Sequence, residues 1–128
     1  MKKAIILAAA LLLNVAAQAG PYPDITIDQL KSALAAKQVT LLDVNGSKSW
    51  NQGHIPGAID YVANKAKLAS LLPKDKHALI VAYCGGPYCG AYAAAAKAAK
   101  DLGYTNVKHL SAGISGWKAT GEKTASGS

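Results

Sequence analysis

The chain has 128 residues, with 14 lysines, no arginine and 7 acidic residues, for a formal charge of +7. That length suits one domain and is too short for two of ordinary size. The lysines are spread along the chain without a basic cluster or interleaved aromatics, which argues against nucleic-acid binding and for a solvated lysine surface.

The first 19 residues read as a signal peptide. Lys2 and Lys3 open it, Ala4 to Ala17 form an apolar stretch broken by Asn14, and Ala17-Gln18-Ala19 supplies small residues for cleavage. A spanning helix needs about 20 apolar residues, more than this run offers, so no stable membrane insertion is expected after the signal is removed. The expected mature chain, Gly20 to Ser128, keeps 12 lysines and all 7 acidic residues, and its location is periplasmic or secreted.

Thr26 with Gln29 three positions on forms a capping-box pattern, and Leu30, Ala33 and Leu34 give a helical stripe ending near Lys37. Val39 to Val44 is an apolar run, the pattern of a strand buried on both faces. Asn45 to Asn51 is polar loop or a brief helical turn, and Gly53 to Ala58 is a turn leading to a short segment at Ile59. Asn64 to Leu72 reads as a second helix stopped by Pro73. Ala78 to Tyr83 is a second buried strand. Gly90 to Leu102 is an alanine-rich helix closed by Gly103; Lys97 and Lys100 mark its wet side and its small residues fit close packing on a sheet. Val107 to Leu110 is a third strand, followed by a glycine-rich turn and a short helix around Trp117. The domain is expected over residues 20–128, with a core from about 25 to 121 and a disordered tail beyond it. Strands alternating with helices predict an α/β fold, a central parallel sheet flanked by helices on both faces.

Two cysteines, Cys84 and Cys89, remain in a chain bound for an oxidising compartment. One pair is no disulfide framework for a fold. His54, His77 and His109 are isolated from one another, so no metal site is expected, and no cofactor. Either the cysteines bond to each other or at least one is kept for chemistry.

Cys84 stands at the carboxyl end of its strand, where parallel sheets place their ligand sites. Gly85 and Gly86 follow, and a helix begins shortly after. A helix N-terminus leaves N–H groups unpaired and carries partial positive charge, and a glycine-rich loop turns such groups inward around an anion. A thiol there is stabilised as the nucleophilic thiolate. The bland alternative is an inert buried cysteine, but a core cysteine has no need of Gly-Gly-Pro after it.

These pieces together resemble the single-domain rhodaneses, sulfurtransferases that carry sulfur as a cysteine persulfide. The matching runs are Leu42-Asp43-Val44, Gly53-His54-Ile55-Pro56-Gly57-Ala58 and Val81-Ala82-Tyr83-Cys84. Ala93-Ala94, Leu102 to Val107, and Leu110 to Trp117 with Gly113 and Gly116 follow in family order. The resemblance implies that Cys84 is catalytic, that Gly85, Gly86, Tyr88, Cys89 and Gly90 form a cradle for substrate or persulfide, and that Asp43 and His54 support the structure. It implies an exported sulfurtransferase with a small sulfur-containing donor and a thiol or cyanide acceptor.

The chain departs from the family in its loop. Where many relatives carry a glycine, an arginine and then serine or threonine, it has Pro87, Cys89 and Gly90. Pro87 removes one N–H donor, and the missing arginine removes a two-pronged oxyanion binder. Asn45 and Ser49 replace an arginine and a glutamate that often pair in the family, so both charges are lost together. Without arginine, phosphatase or arsenate reductase chemistry has no way to neutralise a tetrahedral oxyanion. Cys89 reads as a resolving thiol, a protective disulfide partner or a small space filler, and the first calls for a thiol reductant partner. The alternatives to sulfur transfer are thiol–disulfide exchange through Cys84 and Cys89, or a non-catalytic rhodanese-like binding module.

Overall fold

The computed structural model of the protein describes residues 21–127; the predicted signal peptide lies outside the described residues. Helix α1 (Ile27–Ala35) begins on the expected capping box: Thr26 accepts from the Gln29 N–H and the Gln29 side chain accepts from the Thr26 N–H, both at 3.0 Å. It ends in a left-handed turn at Lys37, φ 56°, whose neighbour Gln38 donates back to the Ala33 carbonyl. Strand β1 (Thr40–Asp43) follows, then α2 (Ser47–Gln52), β2 (Ile59–Asp60) and α3 (Tyr61–Asn64).

The second expected helix, Asn64 to Leu72, is instead three short pieces: α3, a 3-10 turn at Lys65–Lys67 and α4 (Leu68–Leu71). Asp60 moves the start forward by accepting from the Ala63 N–H, and the Asn64 amide donates back to the Asp60 carbonyl at 2.9 Å. Such local side-chain bonds compete with helix propagation. Strand β3 (Ile80–Tyr83), helix α5 (Tyr92–Asp101), strand β4 (Val107–His109) and helix α6 (Gly113–Ala119) complete the chain order.

The four strands form one parallel sheet in the order β2-β1-β3-β4. Leu42 pairs with Ala82, and Ala82 with His109, so the centre of the sheet is β1 and β3. Side chains alternate between two cores. Leu42, Ile80 and Ala82 pack with Leu68, Tyr92, Ala95, Ala96 and Ala99 on one face. Leu41, Val81 and Tyr83 pack with Leu30, Ile55, Leu110 and Trp117 on the other. The alanines let α5 approach the sheet closely, which keeps its N-terminus beside the end of β3.

The tail corrects one expectation. Residues 122–127 are not a free end: Ala125 and His54 exchange two backbone bonds of 2.9 Å, Gly127 donates to the Asn51 carbonyl, and the Trp117 indole N–H donates to the Lys123 carbonyl at 2.8 Å. Glu122 pairs with Lys31 at 3.0 Å. The Gly/Ser/Thr composition that suggested disorder misleads because backbone bonds need no apolar side chain.

Candidate active site

Cys84 is the first residue beyond β3 and only 1% exposed. Its environment is built from both sides of the sheet. Below it, Tyr83 crosses to the other core and its hydroxyl donates to Asp43 Oδ2 at 2.7 Å while accepting from the Ile55 N–H at 3.0 Å. The second Asp43 oxygen accepts from the Asn45 N–H at 2.8 Å. Burial, with the Asp43 carboxylate beside it, pushes the Tyr83 phenol far above its usual range and keeps it neutral. Asp43 thus ties the ends of β1 and β3 together immediately before the cysteine.

Behind the loop stands the start of α6. The Ile114 and Ser115 N–H groups donate to the Cys84 and Gly85 carbonyls, each at 3.0 Å. Gly113 makes that approach feasible: its φ is 62°, and a Cβ there would lie 2.6 Å from the Gly85 carbonyl carbon. Gly113 belongs to the sequence pattern that resembles the family, but this role is not visible in it. No local signal gives it, because the partners are 28 positions apart in sequence.

In front, the loop runs through Gly85, Gly86, Pro87, Tyr88, Cys89 and Gly90 to α5. Helix α5 begins at Tyr92 rather than Gly90, and its cap residue Ala91 supplies no side-chain acceptor; the Ala93 and Ala94 N–H groups donate to the Gly90 and Ala91 carbonyls at 3.1 and 3.2 Å. The N–H groups of Gly85, Gly86, Tyr88 and Gly90 take no partner among the described residues. That of Cys89 donates to the Gly86 carbonyl at 3.2 Å and leaves the expected donor set. Tyr88 is wholly solvent-exposed. Asn45 approaches the same loop, its Oδ1 lying 3.9 Å from where a Gly85 Cβ would stand.

The structure joins Cys84 and Cys89 in a disulfide, with Cα atoms 6.3 Å apart, within the usual span of about 4.4–6.8 Å. Of the alternatives open in the sequence, bonding between the pair is the one the geometry contains. The Cys84 sulfur also lies 3.4 Å from the Cys89 carbonyl oxygen.

His54 stands apart from this chemistry. Its Nδ1 meets the Trp50 carbonyl at 2.7 Å, its ring stacks on the Trp50 indole, and its backbone holds Ala125. It fixes α2 and the tail. A cleft of about 510 Å³ opens at the amino ends of β1 and β3, lined by Lys37, Thr40, His77 and Asn106. It is at the end of the sheet opposite Cys84, so its size says nothing about the cysteine loop.

A family model described as Rhodanese-like domain matches residues 26–120. The chain is 38% identical over 102 residues to an HTH-type transcriptional regulator of Mycobacterium tuberculosis, which covers 79% of this chain and 44% of that protein. It therefore spans less than half the length of that curated relative. Among solved structures, the rhodanese-like domain of an Anabaena protein is 28% identical with a TM-score of 0.65, covering 83% of this chain and 80% of that one. A human single-domain sulfurtransferase shares the fold at 24% identity and a TM-score of 0.58, covering 77% of this chain and 97% of that one.

Proposed function

Because the chain belongs to the rhodanese-like domain family, we propose that it is an exported sulfurtransferase carrying sulfane sulfur as a persulfide on Cys84. The observation that carries this reading is the setting of Cys84: a cysteine at the carboxyl end of a central parallel strand, opening a glycine loop whose Gly85, Gly86, Tyr88 and Gly90 N–H groups take no partner among the described residues and which leads into α5. That setting stabilises an anionic sulfur, whether thiolate or persulfide. The Cys84 thiolate attacks the outer sulfur of a donor R–S–SH, forming Cys84–S–SH and releasing RS⁻. An acceptor thiolate or cyanide then takes the outer sulfur and restores the thiolate.

The apolar, lysine-started leader supports a periplasmic or secreted location. A second reading, a thiol–disulfide redox protein, draws on the Cys84–Cys89 bond. The two are separated by incubating reduced protein with polysulfide, persulfide and thiosulfate and weighing it. One added sulfur on Cys84, absent in Cys84→Ser, is expected. No adduct with any donor would leave the redox reading in its place.

A further inference from the structure

The two sulfurs of the disulfide are unequal. Cys84 is 1% exposed and packed with Leu42, Ala82 and Tyr92. Cys89 is partly exposed and sits between the fully exposed Tyr88 and the exposed Gly90. In thiol–disulfide exchange an incoming thiolate attacks one sulfur and the other departs as thiolate, so access selects the first and charge stabilisation the second. Access favours attack at Cys89. Charge favours departure of Cys84, the residue that opens the loop of unpaired Gly85, Gly86, Tyr88 and Gly90 N–H groups.

One contact opposes this: the Cys89 carbonyl oxygen near Cys84 disfavours a negative sulfur there. That single carbonyl stands against four unpaired N–H groups in the same loop, those of Gly85, Gly86, Tyr88 and Gly90.

We propose that Cys89 is the attacked sulfur of a thiol–disulfide exchange site whose substrate is an external thiol, and that Cys84 is its leaving group. A thiolate RS⁻ attacks Cys89 Sγ, giving the mixed disulfide Cys89–S–SR and the Cys84 thiolate. A second thiolate of the reductant attacks the RS sulfur, releasing the oxidised reductant and the Cys89 thiolate. Two electrons pass from the reductant to the protein. Resting on the sulfurtransferase reading, this makes reduction the event that releases Cys84 for sulfur transfer, and it gives Cys89 the role of receiving the reductant.

Chymotrypsin cuts after Tyr83, Tyr88 and Tyr92, which places Cys84 and Cys89 on different peptides. Protein isolated without reductant is treated with glutathione in one arm. In the other it meets a protein dithiol reductase whose second cysteine has been replaced, so that its adduct is trapped. Each sample is acid-quenched, its free thiols are blocked with a maleimide, and it is digested and weighed. The expected result is the adduct on Cys89 and the maleimide on Cys84, by about tenfold over the reverse. An adduct in the glutathione arm alone identifies a small thiol as sufficient reductant, and one in the trapped-protein arm alone identifies a protein reductant. Adducts on Cys84, an even split, or two free thiols in the untreated protein would overturn the proposal. Failure of the sulfur-transfer reading registers separately, as the absence of an added sulfur on fully reduced protein.

Discussion

Tyr83 and Asp43 are register partners on neighbouring strands, and the phenol hydroxyl closes the pair with a 2.7 Å hydrogen bond to the carboxylate. The bond lies in the buried layer directly before Cys84, so whatever disturbs it reaches the loop. Tyr83→Phe leaves one Asp43 oxygen and the Ile55 N–H without partners, and is expected to lower stability by about 1–3 kcal/mol in urea unfolding. The phenol is held above its ordinary value of 10.0, so the folded state keeps its proton where the unfolded state gives it up. Its contribution is therefore full below pH 10 and declines as pH rises beyond it. Removal of the hydroxyl should flatten that alkaline decline.

Gly113 and Gly86 form a matched pair of substitutions. A methyl group at Gly113 meets Gly85 backbone in a left-handed conformation, whereas nothing lies within 4 Å of a Cβ at Gly86. Gly113→Ala should cost about 1–3 kcal/mol and slow sulfur loading by displacing the loop. Gly86→Ala should stay within about 0.5 kcal/mol of the parent. Thermal melts of both variants check the contrast.

His109 supplies the acid-side prediction. It is 5% exposed, stacked on Tyr92, and its Nε2 has no partner among the described residues. Burial lowers its pKa from 6.5, against a weaker opposing pull from Asp24. The unfolded chain then binds the proton more readily than the folded one. Stability is full above pH 6.5 and falls as pH drops below it, until the folded histidine also protonates. Melting temperatures from pH 7.5 down to 5 should show that slope, reduced in His109→Phe.

The missing arginine predicts a donor preference. Hydrogen bonds to a charged group contribute about 1.5–3 kcal/mol, so a doubly charged thiosulfate loses roughly 10- to 100-fold in kcat/KM relative to a cradle that holds a guanidinium. Singly charged persulfides lose less. Cys89→Arg, compared with Cys89→Ser so that both lack the disulfide, should raise thiosulfate turnover by about tenfold or more. Equal rates in the two variants would mean that the backbone donors alone set the preference.

The strands and the cysteine loop were legible because each is marked locally. Leu41-Leu42 and Ile80 to Tyr83 are apolar on both faces, and Gly85-Gly86 follows Cys84 before an alanine-rich helix. The family resemblance came from runs spread over most of the chain, and the fold and family agree with it. What stayed hidden depends on contacts between distant residues. Composition made 122–127 look free, and only the fold brings Ala125 beside His54. The helix expected from Asn64 starts earlier, at Tyr61, because Asp60, outside the window that suggested it, caps the first turn. The support of the loop by Gly113, Ile114 and Ser115 likewise exists only after the sheet brings α6 to it.

The stitch at β4 has a consequence for how the chain comes together. Residues 23–25 bond to His109 from both sides, His109 donating to the Pro23 carbonyl and Ile25 donating to the His109 carbonyl. Ala125 meanwhile holds His54. A chain emerging from its N-terminus makes residues 23–25 first, yet their docking site arrives more than 80 residues later. Non-local closures of this kind slow folding. During synthesis, the early segment stays unpaired until β4 has been made and brought beside it.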